Sequence, residues 1–255
     1  MTRPQRIGLI VPSSNTTIET EVPEMLRRVA AATGRGFTFH SSRAVLHTVD
    51  DAGLDRMVGQ LDRCGSELVD AHVDAIVYAC LVALMARGAG AHAEAERRLA
   101  EIVAAAGTDT AVLSSAGALV RTIAAAGWRR VAILTPYMKP LTAKVAGYLE
   151  AEGIEVVDAL SLEVPDNRAV AELDPARLPE LATQLDTARA DAVVISACVQ
   201  MPSLAAIPVA EQRLGLPVLS AATATVRELL VALGLPPVVE GAGALLAPAS
   251  ARSAA

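Results

Sequence analysis

RIGLIVP at Arg6–Pro12 returns as RVAILTP at Arg130–Pro136, and DAIVYAC at Asp74–Cys80 returns as DAVVISAC at Asp191–Cys198 with one residue inserted. A third pair keeps the order. VLSSA at Val112–Ala116 matches VLSAA at Val218–Ala222, and each is followed by a Val-Arg dipeptide, Val120-Arg121 and Val226-Arg227. Three ordered matches make the chain a duplicated unit. Within each copy, short apolar runs rich in β-branched residues predict buried strands at Ile7–Val11, Ala75–Tyr78, Ala111–Leu113, Val131–Leu134, Ala192–Ile195 and Pro217–Leu219. Two further strands are predicted near Phe37–Phe39 and Ile154–Val157. Helical patterns fill the gaps: Asp51–Ala71 repeats Leu54, Met57, Val58, Leu61, Cys64 and Leu68 on one face.

Strand–helix–strand alternation requires a parallel sheet covered on both faces. The expected fold is therefore α/β, with two pseudo-symmetric lobes, each a four-stranded parallel sheet flanked by helices. Ligands of such sheets bind outside the carboxyl ends of the strands, so the active site is expected in the cleft between the lobes. The first lobe is expected to span residues 1–115 and to take back the C-terminal segment 221–255, whose helix packs on it. The second lobe covers 116–220. Leu235–Val238 and Gly241–Gly243 are expected to end the last helix and lead into a loose Ala/Ser tail.

Composition narrows the function. More than half of the residues are hydrophobic but only 2% are aromatic, so the core must be built from Ala, Val, Leu and Ile. A net charge of −6 with no basic patch argues against nucleic acid. A mean hydropathy of +0.41 raises the question of a membrane. The longest charge-free run, Ala192–Ala210, contains Ser196, Gln200, Pro202, Ser203 and Pro208 and makes a poor spanning helix. The apolar stretch Ile7–Pro12 is too short for the core of a signal peptide. A cytoplasmic protein without a membrane partner is expected. Three cysteines without a CxxC, and four histidines without ligand spacing, point to neither a disulfide scaffold nor a zinc site. Neither GxGxxG nor GxxxxGK occurs, so no nucleotide cofactor is expected.

Cys80 and Cys198 stand at equivalent places, each just past the end of a buried strand. One such cysteine alone would read as core filler. Two at symmetry-related strand ends favour chemistry. The turns that follow, through Leu81 and Val82 after Cys80 and through Val199 after Cys198, offer backbone N–H groups that favour a thiolate and lower its pKa. Cys64 lies on the apolar stripe of its helix and reads as core. After the first strand, Ser13-Ser14-Asn15-Thr16-Thr17 holds five capping residues where a helix needs one. The excess favours an anion site, with Asn15 supplying an amide. Tyr137 occupies the matching turn of the second copy, where a hydroxyl donor and a ring packed under the loop are equally supported. Asn167, in Pro165-Asp-Asn167, reads by itself as a turn residue.

Taken together, RIGLIVPSSNTTIETE (Arg6–Glu21), YACLVALM (Tyr78–Met85), LTPY (Leu134–Tyr137) and SACVQMPSL (Ser196–Leu204) resemble the maleate cis-trans isomerase family of the aspartate/glutamate racemase superfamily. The resemblance runs from about residue 5 to about residue 235. It implies Cys80 as the nucleophile, Cys198 as a second catalytic thiol, and Asn15, Tyr137 and Asn167 as ligands of a small dicarboxylate, maleate or fumarate. It also implies a reaction without a cofactor, a closed cleft and a homodimer. Cys80 argues against a decarboxylase of the arylmalonate type, which needs only the thiol at Cys198. Two other readings stay open. A racemase of amino or hydantoin acids would use the same thiols as acid and base on one carbon. A non-catalytic dicarboxylate-binding module would have no use for either thiol.

Overall fold

The computed structural model describes residues 3–248. Eight strands form, β1 (Gln5–Pro12), β2 (Phe37–Ala44), β3 (Ala75–Tyr78), β4 (Ala111–Ser114), β5 (Arg130–Thr135), β6 (Glu155–Ser161), β7 (Ala192–Ser196) and β8 (Val218–Ser220). The helices are α1 (Ile18–Thr33), α2 (Asp51–Val58), α3 (Leu61–Asp70), α4 (Leu81–Met85), α5 (Ala91–Ala105), α6 (Ser115–Ala125), α7 (Lys139–Ala151), α8 (Asn167–Ala171), α9 (Leu178–Ala182), α10 (Ile207–Leu214) and α11 (Ala221–Ala232). The strands make two parallel four-stranded sheets, ordered β2-β1-β3-β4 and β6-β5-β7-β8. The fold is the expected α/β pair of like lobes. No helix among the described residues is long and apolar enough to cross a membrane.

The repeat is visible in the details. β2 and β6, each at one edge of its sheet, are longer than their apolar segments predict. An edge strand is only half covered, so its outer residues carry no apolar signal. Ser114 and Ser220, the repeated serines after Val-Leu, cap α6 and α11 by accepting the N–H of Gly117 (3.0 Å) and of Thr223 (3.2 Å). The residue inserted before Cys198 becomes a bulge: Val194 pairs with Leu219, and the next paired residue, Ser196, with Ser220. β3 pairs with β4 without any such shift.

Two expectations change. Asp51–Ala71 is not one helix but α2 and α3, broken at Gly59-Gln60, although the apolar stripe still lies against the core. The break is useful because Gln60 turns its amide outward, accepting the Val45 N–H (3.0 Å) and donating to the Val45 carbonyl (3.3 Å). This pins the segment that follows β2. The chain after Gly243 is not loose either, since Leu245 and Leu246 are buried and Val239 donates to the Leu246 carbonyl. The rest of the expected tail, 249–255, lies outside the described residues.

Sheet-facing residues such as Ile7, Leu9, Ile76, Val131, Ile133 and Val194 are fully buried. The lobes are joined by α6 and α11, which pack along each other, while α11 also contacts α1, β3 and β4 of the first lobe. Thr225 on α11 donates to the Ser115 hydroxyl on α6 (3.0 Å) within this seam. A second link is Glu21 on α1, whose buried carboxylate accepts the N–H groups of Ser203 and Leu204 from the other lobe, each at 2.6 Å.

Burial pushes the Glu21 carboxyl above its ordinary value near 4.5, and the Ser203 and Leu204 donors pull it only part of the way back. A carboxyl with a raised folded pKa stabilises the fold fully below its unfolded value. That contribution is lost as pH rises through the folded value. Relative to Glu21→Gln, which keeps an acceptor oxygen for both N–H groups, the native protein should lose stability as pH rises from 4 to 7. Urea unfolding midpoints of the two proteins across that range measure this, and a constant difference would show that Glu21 binds its proton equally in both states.

Candidate active site

In each sheet the strand order reverses between the first and third strands, β1 and β3 in one lobe and β5 and β7 in the other. Loops leaving such neighbours diverge and open a crevice at the carboxyl ends. Pro12 ends β1 and Asn15 follows it, Cys80 follows β3, Tyr137 follows β5, and Cys198 follows β7. These residues converge on one closed cavity, lined also by Leu81, Val82, Asn167, Val199, Leu46, Val49 and Gln200. The cavity leaves only about 20 Å³ for the centre of a water molecule.

Each side chain is held by a local reason. Asn15 caps α1 from a distance, its Oδ1 accepting the N–H groups of Thr17 (3.0 Å) and Ile18 (3.1 Å). This aims its amide nitrogen across the cleft, where it donates to the Val199 carbonyl (3.3 Å). Asn167 opens α8 and donates to the Ser14 hydroxyl (2.7 Å). Ser14 itself, although expected among the binding residues, lines the wall and an outer groove rather than the cavity. Cys80 is the N-cap of α4, so Leu81 and Val82 sit in a first turn whose N–H groups have no intrahelical partners. Ser196 braces the other thiol's turn, donating to the Cys198 carbonyl at 2.7 Å, and the Gln200 N–H reaches the Cys198 sulfur at 3.3 Å.

The electrostatics differ from the sequence expectation. Cys80 and Cys198 are each 4% exposed, and burial pushes the Cys80 thiol up to about 12, with the Ala83 N–H opposing and the nearby Cys198 adding to the rise. Burial also raises Cys198, against the Tyr137 hydroxyl and the N–H groups of Gln200 and Met201, which favour its thiolate. The helix-start and turn donors are present as expected, but removal of water outweighs them in the closed cavity. Tyr137 is likewise driven well above the ordinary tyrosine range, first by burial and then by Cys198. It is a neutral donor. No lysine or arginine lines the cavity. Cys64 is buried in the core and does not line the cavity.

The sequence reading passed over Leu46, Val49 and Gln200. Leu46 and Val49 lie in the mixed segment 45–50 between β2 and α2, which covers the cavity. That segment lies tight on α2. A Cβ at Gly53 would stand 2.1 Å from the Thr48 carbonyl oxygen, and the Asp50 carboxylate accepts the Gly53 N–H at 2.7 Å. Gln200 is an amide in a buried charge-free run, and a buried amide must be bonded to something. That signal was available in the sequence.

Comparison with known proteins fits this geometry. The arylmalonate decarboxylase family model matches residues 7–246. The chain is 52% identical over 242 residues to a maleate isomerase of Geobacillus stearothermophilus, covering 94% of this chain and 96% of the relative. A maleate isomerase of Pseudomonas putida S16, solved as a cysteine-to-alanine variant with maleate, superposes with a TM-score of 0.95 at 48% identity over 97% of this chain and 99% of that one. A Nocardia farcinica maleate cis-trans isomerase, solved as a cysteine-to-serine variant carrying a covalent succinylcysteine intermediate, gives 0.92 at 48% identity over 96% and 98%.

A thiol pushed up to about 12 is protonated at neutral pH. Iodoacetamide labelling of Cys80 in the ligand-free protein should therefore rise about tenfold for each pH unit between 6.5 and 8.5, as the thiolate fraction does. Peptide mapping by mass spectrometry reads the rate. A plateau inside that window would mean that the thiolate is already the dominant form.

Proposed function

Because the chain belongs to the maleate isomerase family, within the wider group that the arylmalonate decarboxylase model describes, we propose that it interconverts maleate and fumarate by reversible addition of a thiolate to the double bond. The observation that carries this reading is the meeting of two thiols with three side-chain donors, from Asn15, Tyr137 and Asn167, in one closed cavity. A double bond rotates only once it has become single, and a sulfur nucleophile makes it so without a cofactor. A decarboxylation would leave Cys80 without a task.

Cys80 sheds its proton to solvent while the lobes are apart, since water removes the burial penalty that otherwise holds the proton in place. The lobes then close on the dicarboxylate. The Cys80 sulfur bonds to one alkene carbon, and the π electrons move to the other carbon and onto its carboxylate as an enediolate. Asn15, Tyr137, Asn167 and the N–H groups at Leu81, Val82 and Val199 hold the two carboxylates. In a dry site such fixed donors stabilise the developing charge strongly. Cys198 gives its proton to the second carbon, leaving a succinyl group on Cys80 and a thiolate that Tyr137 and the Gln200 N–H favour. After rotation about the new single bond Cys198 takes a proton back, the C–S bond breaks and fumarate leaves. Cys198 is then a thiol again, and Cys80 is a thiolate that regains its proton from solvent when the lobes part.

The succinylcysteine held by the serine variant of the Nocardia farcinica enzyme is the species this scheme would strand once the second thiol is gone. The same reading divides the chain into a lobe of residues 1–115 with the returning C-terminal segment and a lobe of residues 116–220, working as a homodimer.

Proton NMR of the purified protein with maleate should show the fumarate olefinic signal growing as the maleate signal falls, and an unchanged spectrum would sink the assignment. Cys80→Ser should abolish both turnover and adduct. Cys198→Ser should accumulate a succinyl adduct on Cys80, visible as added mass in the intact protein. Turnover retained in Cys80→Ser, with an adduct on Cys198, would reverse the roles of the thiols.

Asn15→Ala and Tyr137→Phe each remove one donor and leave the thiols in place. Each should lower kcat by roughly 10²–10³-fold. Near-native turnover in both would remove these residues from the carboxylate site.

A further inference from the structure

Gln200 is 3% exposed, and its side-chain amide uses both ends. Its Oε1 accepts the Thr16 N–H (3.1 Å), and its Nε2 donates to the Ser14 carbonyl (2.9 Å) and to the Asn167 carbonyl (2.9 Å). Ser14 and Thr16 flank Asn15 in the first lobe, and Asn167 belongs to the second. Two carbonyl oxygens, one from each lobe, therefore meet on a single nitrogen. They have no attraction for each other, and a donor between them makes the contact favourable. Gln200 also stands two residues beyond Cys198, and its own N–H lies on that sulfur at 3.3 Å.

We infer that Gln200 is the positioning residue that latches the lobes shut. On closure it completes its bonds to Ser14 and Thr16 and so brings the Asn15 loop and Asn167 into register with the Cys198 turn. Resting on the isomerase reading for its chemical meaning, the latch is itself a statement about closure and holds for any small dicarboxylate. Its side chain does no chemistry. A protein whose competent state is the closed one binds substrate more weakly in proportion to the fraction closed, so loss of the latch falls first on KM.

The test uses Gln200→Ala and Gln200→Glu in the full chain. Gln200→Ala should raise KM for maleate at least tenfold with a smaller fall in kcat. Without substrate, it should speed iodoacetamide labelling of Cys80 and Cys198 about tenfold, because the cleft stands open more of the time. An ionised glutamate accepts from Thr16 but turns an acceptor toward two carbonyls, whereas its protonated form regains one O–H donor. In Gln200→Glu, labelling relative to the native protein should therefore approach one as pH falls from 8 to 5.5, with kcat/KM recovering in parallel. The charged and titrating neighbours, Arg43 with Glu19 behind the Ser14 loop, Asp166 with Arg168 beside Asn167, and Cys80, Cys198 and Tyr137 across the cavity, are common to both proteins, and the ratio is read at Cys80 because a carboxylate at position 200 acts directly on the Cys198 thiol. Native labelling rates in Gln200→Ala, or a labelling ratio in Gln200→Glu that is flat with pH, would overturn the latch. Should the alanine variant fail to fold, the glutamate ratio decides alone. Because labelling needs no turnover, a native protein inert toward maleate would refute the isomerase reading and leave the latch to be judged separately.

Discussion

Helices α6 and α11 lie along each other where the two halves of the chain join, and the positions of the sheets follow from that contact. Each helix begins at a serine that ends a strand and caps the helix, so strand direction and helix direction are fixed together in both halves. The facing segments Ser115-Ala-Gly-Ala118 and Ala221-Ala-Thr-Ala224 carry small, buried side chains, and small side chains let helix axes approach closely. The result sets the carboxyl ends of both sheets toward each other. Everything that lines the cavity hangs from those ends.

A cavity made this way is built of loop backbones and short polar side chains rather than long charged ones. An acidic protein with no cation in the cavity must hold an anionic ligand through N–H and O–H dipoles, which cost no reorganisation when fixed in advance. Dryness serves those dipoles and opposes the thiols, since the burial that strengthens each hydrogen bond also holds the protons on Cys80 and Cys198. In the proposed cycle, opening and closing separate the two demands in time. The link between Glu21 and the Ser203 and Leu204 N–H groups, and the bonds made by Gln200, bridge the lobes around this cavity.

Much of this was legible in the sequence. Central strands announce themselves because both their faces are buried, so runs such as Ala75–Tyr78 and Ala192–Ile195 are apolar throughout. The edge strands β2 and β6 were legible only in part; β2, for one, runs on through His40, Ser41 and Arg43, polar residues that a half-covered strand tolerates. The break between α2 and α3 was invisible to periodicity, since its cause is a contact between Gln60 and Val45 that only the folded chain supplies. The direction of the thiol shifts went astray for a similar reason. Turn donors can be read from a local pattern, but how much water remains around a sulfur depends on Leu46, Val49 and the opposite lobe.

The bulge in β7 keeps the two cysteines alike, but the turns beside them are not alike. A dicarboxylate such as maleate has a two-fold axis, so its two alkene carbons are interchangeable in solution. A cleft that had kept the perfect symmetry of its duplication would be unable to tell them apart. The bulge at Ile195 absorbs the inserted residue, so Ser196 pairs with Ser220 as Tyr78 pairs with Ser114, and Cys198 keeps the place that Cys80 has; the ends of a bound molecule are distinguished instead by the unlike turns that carry Asn15 and Tyr137. Which carbon meets sulfur and which meets a proton is then decided by the protein, in a choice the substrate does not make.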